Sequence, residues 1–349
     1  MTDAKNLGRQ LLTFYCPLTP YVSPEYEELR EFSRDWAKQS DIGEGDPRRT
    51  AVFAELGAAF TAHLIPHATG ETAKSFVRYN TWGWLPNDRV ESDRPLGDII
   101  VELGRWEHIL RSPDAWHDST APADRALRDA VLALRKALTP VQYERFVAGQ
   151  SQWLYSMTTE AVLVQRGTPL NVNDYLALRF SSVGGYSAIG FMDGATHSEI
   201  SAQEWARPEV RAITEAAGHI TALDNDRYSY FKERRMASRK HNLFTALCHE
   251  HPDYSLDRAV TEAVAIRDRI MTLYLRLRER LLSDADEDMR RYLAGWDNMI
   301  TGNITLPTLT ARYRSAETEN GVTVVDKPSD LITEPLPIPT IAWWWDQLG

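Results

Sequence analysis

The chain has 349 residues, 43% hydrophobic and 25% charged, an ordinary globular composition that can bury a large core and excludes general disorder. Its formal net charge is -10, with Lys and Arg spread along the chain, which excludes a general nucleic-acid or anionic-membrane surface, so an anionic ligand has to be met by a local cluster of cations. Cys16 and Cys248 make no disulfide framework, no stretch nears about 18 uninterrupted apolar residues and "MTDAKNLGRQ" is no leader, so the expectation is a soluble cytoplasmic protein without an integral membrane segment.

In chain order, "PEYEELREFSRDWAKQS" (24 to 40) repeats apolar residues at intervals of three and four and predicts a helix that buries one stripe. Pro24 stands near its start, where a missing amide hydrogen is harmless, as do Pro140 and Pro208 for later helices. In "WGWLPNDRVESDRP" (82 to 95) an aromatic, apolar run ends abruptly in Asn87, Asp88, Glu91 and Asp93. In isolation this is a polar helix end before a Pro95 loop, but carboxylates closing an apolar helix are also placed for divalent metals at the mouth of a pocket. Helical periodicity returns in "ADRALRDAVLALRKAL" (123 to 138) and "TPVQYERFVAGQSQWLYSMTTEAVLVQRG" (139 to 167). The apolar helix "DYLALRFSSVGGYSAIG" (174 to 190) is then interrupted by Ser181, Ser182, Gly184 and Gly185. Each Gly inside a helix costs roughly 1 kcal/mol against Ala, so the pair calls for a break or a close ligand approach. Arg179, just before the break, can reach a phosphate in bidentate fashion.

The next stretch, "LDNDRYSYFKERR" (223 to 235), sets Asn225, Ser229 and Glu233 at successive spacings of four. On a helix these positions fall within an arc of roughly 80°, so all three side chains face one object. Two neutral oxygens and one carboxylate form a hard donor set that suits Mg²⁺, and Lys232 beside them can hold the anion that completes the shell. Taken alone, the triplet is equally a solvated helix face carrying spaced ion pairs.

Beyond it, "SLDRAVTEAVAIRDRIMTLYLRLRERLL" (255 to 282) predicts another long helix. "CHEHPD" offers His249 and His251 beside Cys248, but a spacing of two turns the rings to different sides of a helix and no second ligand cluster follows, so zinc is rejected. "DADED" (284 to 288) lacks the Gly and terminal Glu of a calcium loop and reads as acidic residues at a helix N-terminus. Strand-like alternation is best in "GVTVVD" (321 to 326), inside a tail whose Pro328, Pro335, Pro337 and Pro339 forbid a continuous helix. Trp343, Trp344 and Trp345 end the tail and are expected to pack on the body, because three exposed Trp side chains would form a large apolar patch. The reading is all-α, with roughly ten helices if two thirds of the chain is helical: one domain over residues 1 to 313 and a tail over 314 to 349.

Residues 82 to 95, 174 to 190 and 223 to 235 together resemble the class I terpene synthases, and in particular the bacterial terpene cyclases. That family carries an acidic motif of the form DDxx(D/E) and, on a later helix, NDxxSxx(R/K)(D/E), which here reads "NDRYSYFKE" with Asn225, Asp226, Ser229, Lys232 and Glu233 in register. Its diphosphate-sensing arginine, 46 residues before the Asn, falls on Arg179, and its downstream Arg-Tyr pair on Arg312 and Tyr313 of "TARY". "FYCPLTPYVSPEYEEL" is similar to the family's N-terminal strap and "KHNLF" (240 to 244) to the stretch after the triad, so the resemblance spans roughly residues 14 to 313.

The resemblance implies a helical bundle around a central apolar cavity and a prenyl diphosphate substrate cyclised to a terpene hydrocarbon or alcohol. It implies three Mg²⁺ ions, two held by the acidic motif through Asp88 and Glu91 and one by Asn225, Ser229 and Glu233. Arg179, Lys232, Arg312 and Tyr313 would hold the diphosphate, with Asn87, Ser182 and Gly184 against the substrate. The sequence departs from the family in three places. Asn87 replaces the first carboxylate, leaving two registers, Asp88 with Glu91 or Asp88 with Asp93. Ser182 and Val183 follow the sensing Arg where Asp is common, with Gly184 slightly late. Leu306 stands where a Trp is common, which argues for the longer geranylgeranyl chain, but farnesyl diphosphate, the commoner bacterial choice, is slightly favoured as the expected substrate.

Among the aromatic residues, Phe76, Tyr79, Trp82, Trp84, Trp153 and Tyr186 are candidates to face a cation, although each is most simply a core aromatic. A chain-elongating prenyltransferase would need a second fully acidic motif where "NDRYSYFKE" stands, and a non-catalytic helical protein that binds diphosphates or a partner would explain Asn87. Assembly is left open between a monomer and a homodimer.

Overall fold

Helices carry nearly all the regular structure in the computed structural model, which describes residues 2 to 235, 241 to 313 and 321 to 349. The N-terminal part runs α1 (Thr2–Leu11), β1 (Thr13–Tyr15), α2 (Tyr26–Gln39), α3 (Pro47–Leu64), α4 (Gly70–Trp82), α5 (Trp84–Val90), α6 (Leu96–Arg111) and α7 (Pro122–Ala137). The middle holds α8 (Pro140–Arg166), α9 (Val172–Ser182), α10 (Gly185–Thr196), α11 (Ala202–Trp205) and α12 (Pro208–Arg235). The rest is α13 (Leu243–Glu250), α14 (Leu256–Leu282), α15 (Glu287–Leu309), β2 (Thr323–Val325) and α16 (Pro339–Ala342). These sixteen α-helical segments among the described residues exceed the ten or so expected, because periodicity cannot see the interruption at Gly83 that splits one run into two, or the one-turn helices; the break expected near Gly184 is present.

Helix starts follow their local chemistry. Asp46 caps α3 ahead of Pro47, Thr139 and Gln142 form a reciprocal capping box ahead of α8, and Asn242 and Thr245 do the same for α13. The acidic run at 284 to 288 supplies the cap of α15, where the Asp286 side chain accepts from the Met289 amide. Within the "KHNLF" stretch, Lys240 lies outside the described residues. Where α8 crosses α10, Gly149 and Gly190 face one another; a Cβ on Gly149 would meet the Tyr186 carbonyl at 2.3 Å, so only glycine permits that approach.

The tail packs back on the body. β2 pairs in parallel with β1, Thr13 opposite Thr323 and Tyr15 opposite Val325. Trp344 is fully buried, with its ring 5.0 Å from His219, and its Nε1 donates to Glu215 Oε2 at 3.0 Å.

Beneath β1 lies a buried ionic network. Arg267 of α14 donates through Nε and Nη2 to both oxygens of Asp224 on α12 at 2.8 Å, and both side chains are 0% exposed. Its Nη1 also donates to the Tyr15 carbonyl. Arg227, one turn along α12, donates to the carbonyls of Gln10, Leu11 and Thr13 and lies 4.1 Å from the Phe14 ring centroid. Ser329 of the tail donates its amide to Asp268 Oδ2 at 2.8 Å. One face of α12 therefore anchors the N-terminal segment while another faces the cavity described next.

Candidate active site

The stripe read from the sequence is realised on α12. Ser229 Oγ donates to Glu233 Oε1 at 3.0 Å, and Asn225 lies two turns before Glu233 on the same side. Across from it stands the acidic stretch. Asp88 and Glu91, at the end of α5, turn toward α12, while Arg89 turns the other way and donates to Glu102 Oε2 of α6 at 3.0 Å, fixing the rotation of α5.

The two motifs meet through cations. Lys232 Nζ donates to Glu91 Oε1 at 3.0 Å, and Arg312 Nη1 donates to Asp88 Oδ1 at 2.9 Å, with Nη2 reaching Glu91 Oε2 at 3.5 Å. Arg49 Nε lies 3.5 Å from Asp88 Oδ2. Glu91 is thus the carboxylate that shares partners with Asp88, whereas Asp93 sits exposed in the turn beyond. Arg312 also lies over Trp84, 5.4 Å from its centroid. Burial depresses the Arg312 guanidinium, but Tyr313, Asp88 and Glu91 outweigh it and hold the charge firmly in place.

Behind these groups opens a cavity of about 160 Å³. Asn87, Arg179, Ser182, Gly184, Asn225 and Tyr313 all line it. Of the aromatic candidates, Tyr79, Trp84 and Trp153 reach its wall, joined by Phe60 and Phe191, which the sequence did not single out. Trp82 instead packs edge-on against Trp106 in the core. Leu306 is part of the wall, as is Met299 about two turns earlier on α15.

Arg179 stands at the end of α9, 8% exposed. Its Nη2 donates to Asn225 Oδ1 at 2.8 Å and its Nε to Asp226 Oδ1 at 3.0 Å. Asp226 accepts in addition from the Tyr175 hydroxyl and from the Leu243 amide at 2.9 Å. Burial pushes the Asp226 carboxyl up to about 6, against the pull of Arg179 and Tyr175. Asp226 and Tyr175 therefore set the position of Arg179. The motif contained Asp226 without revealing its partner, and nothing local marks Tyr175. Asn225 Nδ2 donates to the Tyr228 hydroxyl at 2.9 Å, which donates to Asn303 Oδ1 at 3.0 Å, a chain that joins Arg179 to the far cavity wall.

Between α9 and α10 the backbone reverses at Gly184, with φ +99° and ψ 22°. A Cβ there has room, since its nearest neighbours lie at 3.8 and 4.0 Å, so the requirement is conformational. Gly184→Ala is expected to cost about 1–3 kcal/mol through backbone strain alone, read as a lower Tm, and to lower turnover because Ser182 and Arg179 ride on the same break. Unchanged Tm and turnover would remove Gly184 from the site.

The donor set fits a divalent metal. Glu233 Oε2 and Arg312 Nε are buried without a hydrogen-bond partner among the described residues, an orphan acceptor in the α12 stripe and an orphan donor beside the acidic residues. Among the described residues no three His, Cys, Asp or Glu side chains converge by themselves. The set is instead one of mixed neutral and charged oxygens, the kind that keeps positions open for water or phosphate. Among the described residues no helix is long and apolar enough to cross a membrane.

Comparison with known proteins agrees with this geometry. The family described as terpene synthase family 2, C-terminal metal binding, matches residues 78–273. Diterpene cyclase DtcycB of a Streptomyces species is 38% identical over 99% of each chain, and spiroviolene synthase of Streptomyces violens is 29% identical over 95% of each. The crystal structure of the SVS_A2 protein from ancestral sequence reconstruction superposes with a TM-score of 0.82 at 30% identity, covering 95% of this chain and 98% of that one. With the metal-binding segment spanning both motifs and the similarity extending from end to end, the chain belongs to the bacterial class I terpene synthases, lyases that cyclise prenyl diphosphates.

Proposed function

We propose that the protein is a Mg²⁺-dependent diterpene cyclase, which ionises geranylgeranyl diphosphate and closes the resulting cation into a cyclic terpene. The observation that carries the reading is the meeting of the two motifs at the cavity mouth, where Lys232 of α12 lies 3.0 Å from Glu91 of the acidic stretch. The twenty-carbon substrate is supported by the 38% identity to a diterpene cyclase, set against 26% to (+)-T-muurolol synthase of Streptomyces clavuligerus, a farnesyl diphosphate cyclase. Leu306 in the wall, where the family commonly carries Trp, supports the same choice.

In this reading Asp88 and Glu91 hold metal on one side of the mouth and Asn225, Ser229 and Glu233 on the other, three ions in all. Bound Mg²⁺ supplies positive charge to the diphosphate oxygens. Arg179, Lys232 and Arg312 hold the anion by charge-assisted hydrogen bonds, and the Tyr313 hydroxyl donates one more. Negative charge grows on the diphosphate as the C1–O bond breaks and its electron pair leaves with that group, so these contacts strengthen toward the transition state. No protein nucleophile is needed. The apolar wall excludes water from the cation, and the faces of Trp84 and Trp153 each contribute about 0.5–2 kcal/mol of cation–π attraction. Asn87 and Ser182 border the reacting end.

Purified protein incubated with Mg²⁺ and, separately, geranyl, farnesyl and geranylgeranyl diphosphate is expected to give a cyclic hydrocarbon or alcohol from the last, detected by gas chromatography with mass spectrometry, and none when EDTA is added. A cyclic product from farnesyl diphosphate alone would overturn the substrate assignment. Turnover in EDTA would overturn the metal dependence.

A further inference from the structure

We infer that Asn80 determines which product the cyclase forms, through a side-chain carbonyl oxygen fixed in the cavity wall; the inference rests on the cyclase activity and not on the substrate's length. Asn80 lies on α4, two turns before the acidic stretch, is 7% exposed and lines the cavity. Its orientation follows from hydrogen-bond bookkeeping. Thr61 of α3 gives its hydroxyl proton to the Gly57 carbonyl at 2.9 Å, so toward Asn80 the hydroxyl acts as an acceptor. Asn80 meets that acceptor with Nδ2 at 3.0 Å. Its Oδ1 has no donor among the described residues and is left to the cavity that the side chain lines.

Three other polar side chains of the wall, Asn303, Ser187 and Thr221, are differently disposed. Asn303 accepts from Tyr228 and donates to the Thr221 carbonyl, and the Ser187 hydroxyl donates to Gln150 Oε1. The Thr221 hydroxyl donates to the Gly218 carbonyl. These groups spend their polarity on the scaffold, whereas Asn80 directs a partial negative charge at whatever occupies the space. A preorganised dipole in a dry, low-dielectric cavity selects among cations of similar energy by lowering those whose charge lies nearest to it. It neither forms nor breaks a bond. Product identity is therefore its readout, separate from the rate of diphosphate release set at the mouth.

The test compares Asn80→Leu, which keeps the volume and removes the dipole, and Thr61→Val, which keeps Asn80 but removes the acceptor that orients it. With each prenyl diphosphate that the unsubstituted enzyme converts, diphosphate release and product distribution are measured in parallel, with thermal unfolding as the control for folding. The expected result is a ratio of major to minor products shifted by about tenfold or more in both variants, with diphosphate release within about threefold of the parent; a tenfold ratio corresponds to only about 1.4 kcal/mol of differential stabilisation. An unchanged profile in a folded Asn80→Leu overturns the inference and leaves the cyclase reading standing. If Asn80→Leu does not fold, Thr61→Val decides in the same way. An unsubstituted protein that forms no cyclic product from any of the three diphosphates overturns the functional reading and this inference with it.

Discussion

Glu233→Gln is expected to lower turnover by on the order of 10²–10³-fold, the scale for losing one preorganised group that acts on transition-state charge. The fold should be unaffected, because the substitution is isosteric and among the described residues Glu233 makes one hydrogen bond, from Ser229, which a Gln oxygen can also accept. The buried Oε2 has no partner among the described residues, so no structural contact is given up there. A neutral amide in its place would present a donor where the proposed function puts a cation. A second readout separates the metal role from a general loss of activity. Mg²⁺ with inorganic diphosphate should raise the Tm of the unsubstituted protein by mass action, about 2.7 kcal/mol when ligand stands at 100 times its Kd, and should fail to raise that of the variant. Full turnover in Glu233→Gln would remove the α12 stripe from the metal site.

That stripe was legible because a helix converts spacing into direction: residues 225, 229 and 233 had to face one object wherever the helix lay. Arg179 and the Gly184 break were legible for a related reason, since a glycine at positive φ leaves a mark in composition. The acidic register was not legible. Glu91 and Asp93 are equivalent as letters, and only the end of α5 at Val90 and the reach of Lys232 from α12 distinguish them. Contacts between distant segments were invisible for the same reason. Nothing in the sequence joins Tyr175 to Asp226, Thr61 to Asn80, or β1 to β2, because each pairing exists only once the helices are packed. Helix number was underestimated because Gly83 breaks the backbone without breaking the apolar pattern, and because one-turn helices such as α11 and α16 are too short to show a period.

Asp224→Asn is expected to destabilise the fold by about 3–5 kcal/mol, the cost of removing one partner from a fully buried ion pair. Asp224 is the carboxylate between two buried guanidiniums: Arg267 in a bidentate pair at 2.8 Å, and Arg227 with Nη1 3.8 Å away. Burial and the neighbouring Arg267 already depress Arg227 to about 10, against the pull of Asp224. Neutralising Asp224 leaves both cations to Asp268, which lies 3.5 Å from Arg267. At roughly 2.1 cal/mol/K of unfolding entropy per residue, the loss corresponds to a Tm lowered by about 4–7 °C. The double variant Asp224→Leu with Arg267→Met should recover part of it, because replacing both partners by apolar groups removes the uncompensated charge. Recovery should stay incomplete, since Arg267 also serves the Tyr15 carbonyl and Arg227 still needs the carbonyls of Gln10 and Leu11. The same face of α12 that carries this network is one residue out of step with Asn225, so loosening β1 disturbs the helix that presents the proposed metal-binding stripe. Turnover of Asp224→Asn should accordingly fall more steeply with temperature than that of the parent. A Tm within about 1 °C of the parent, well inside the shift that a single buried ion pair predicts, would show that the network is bystander to the fold.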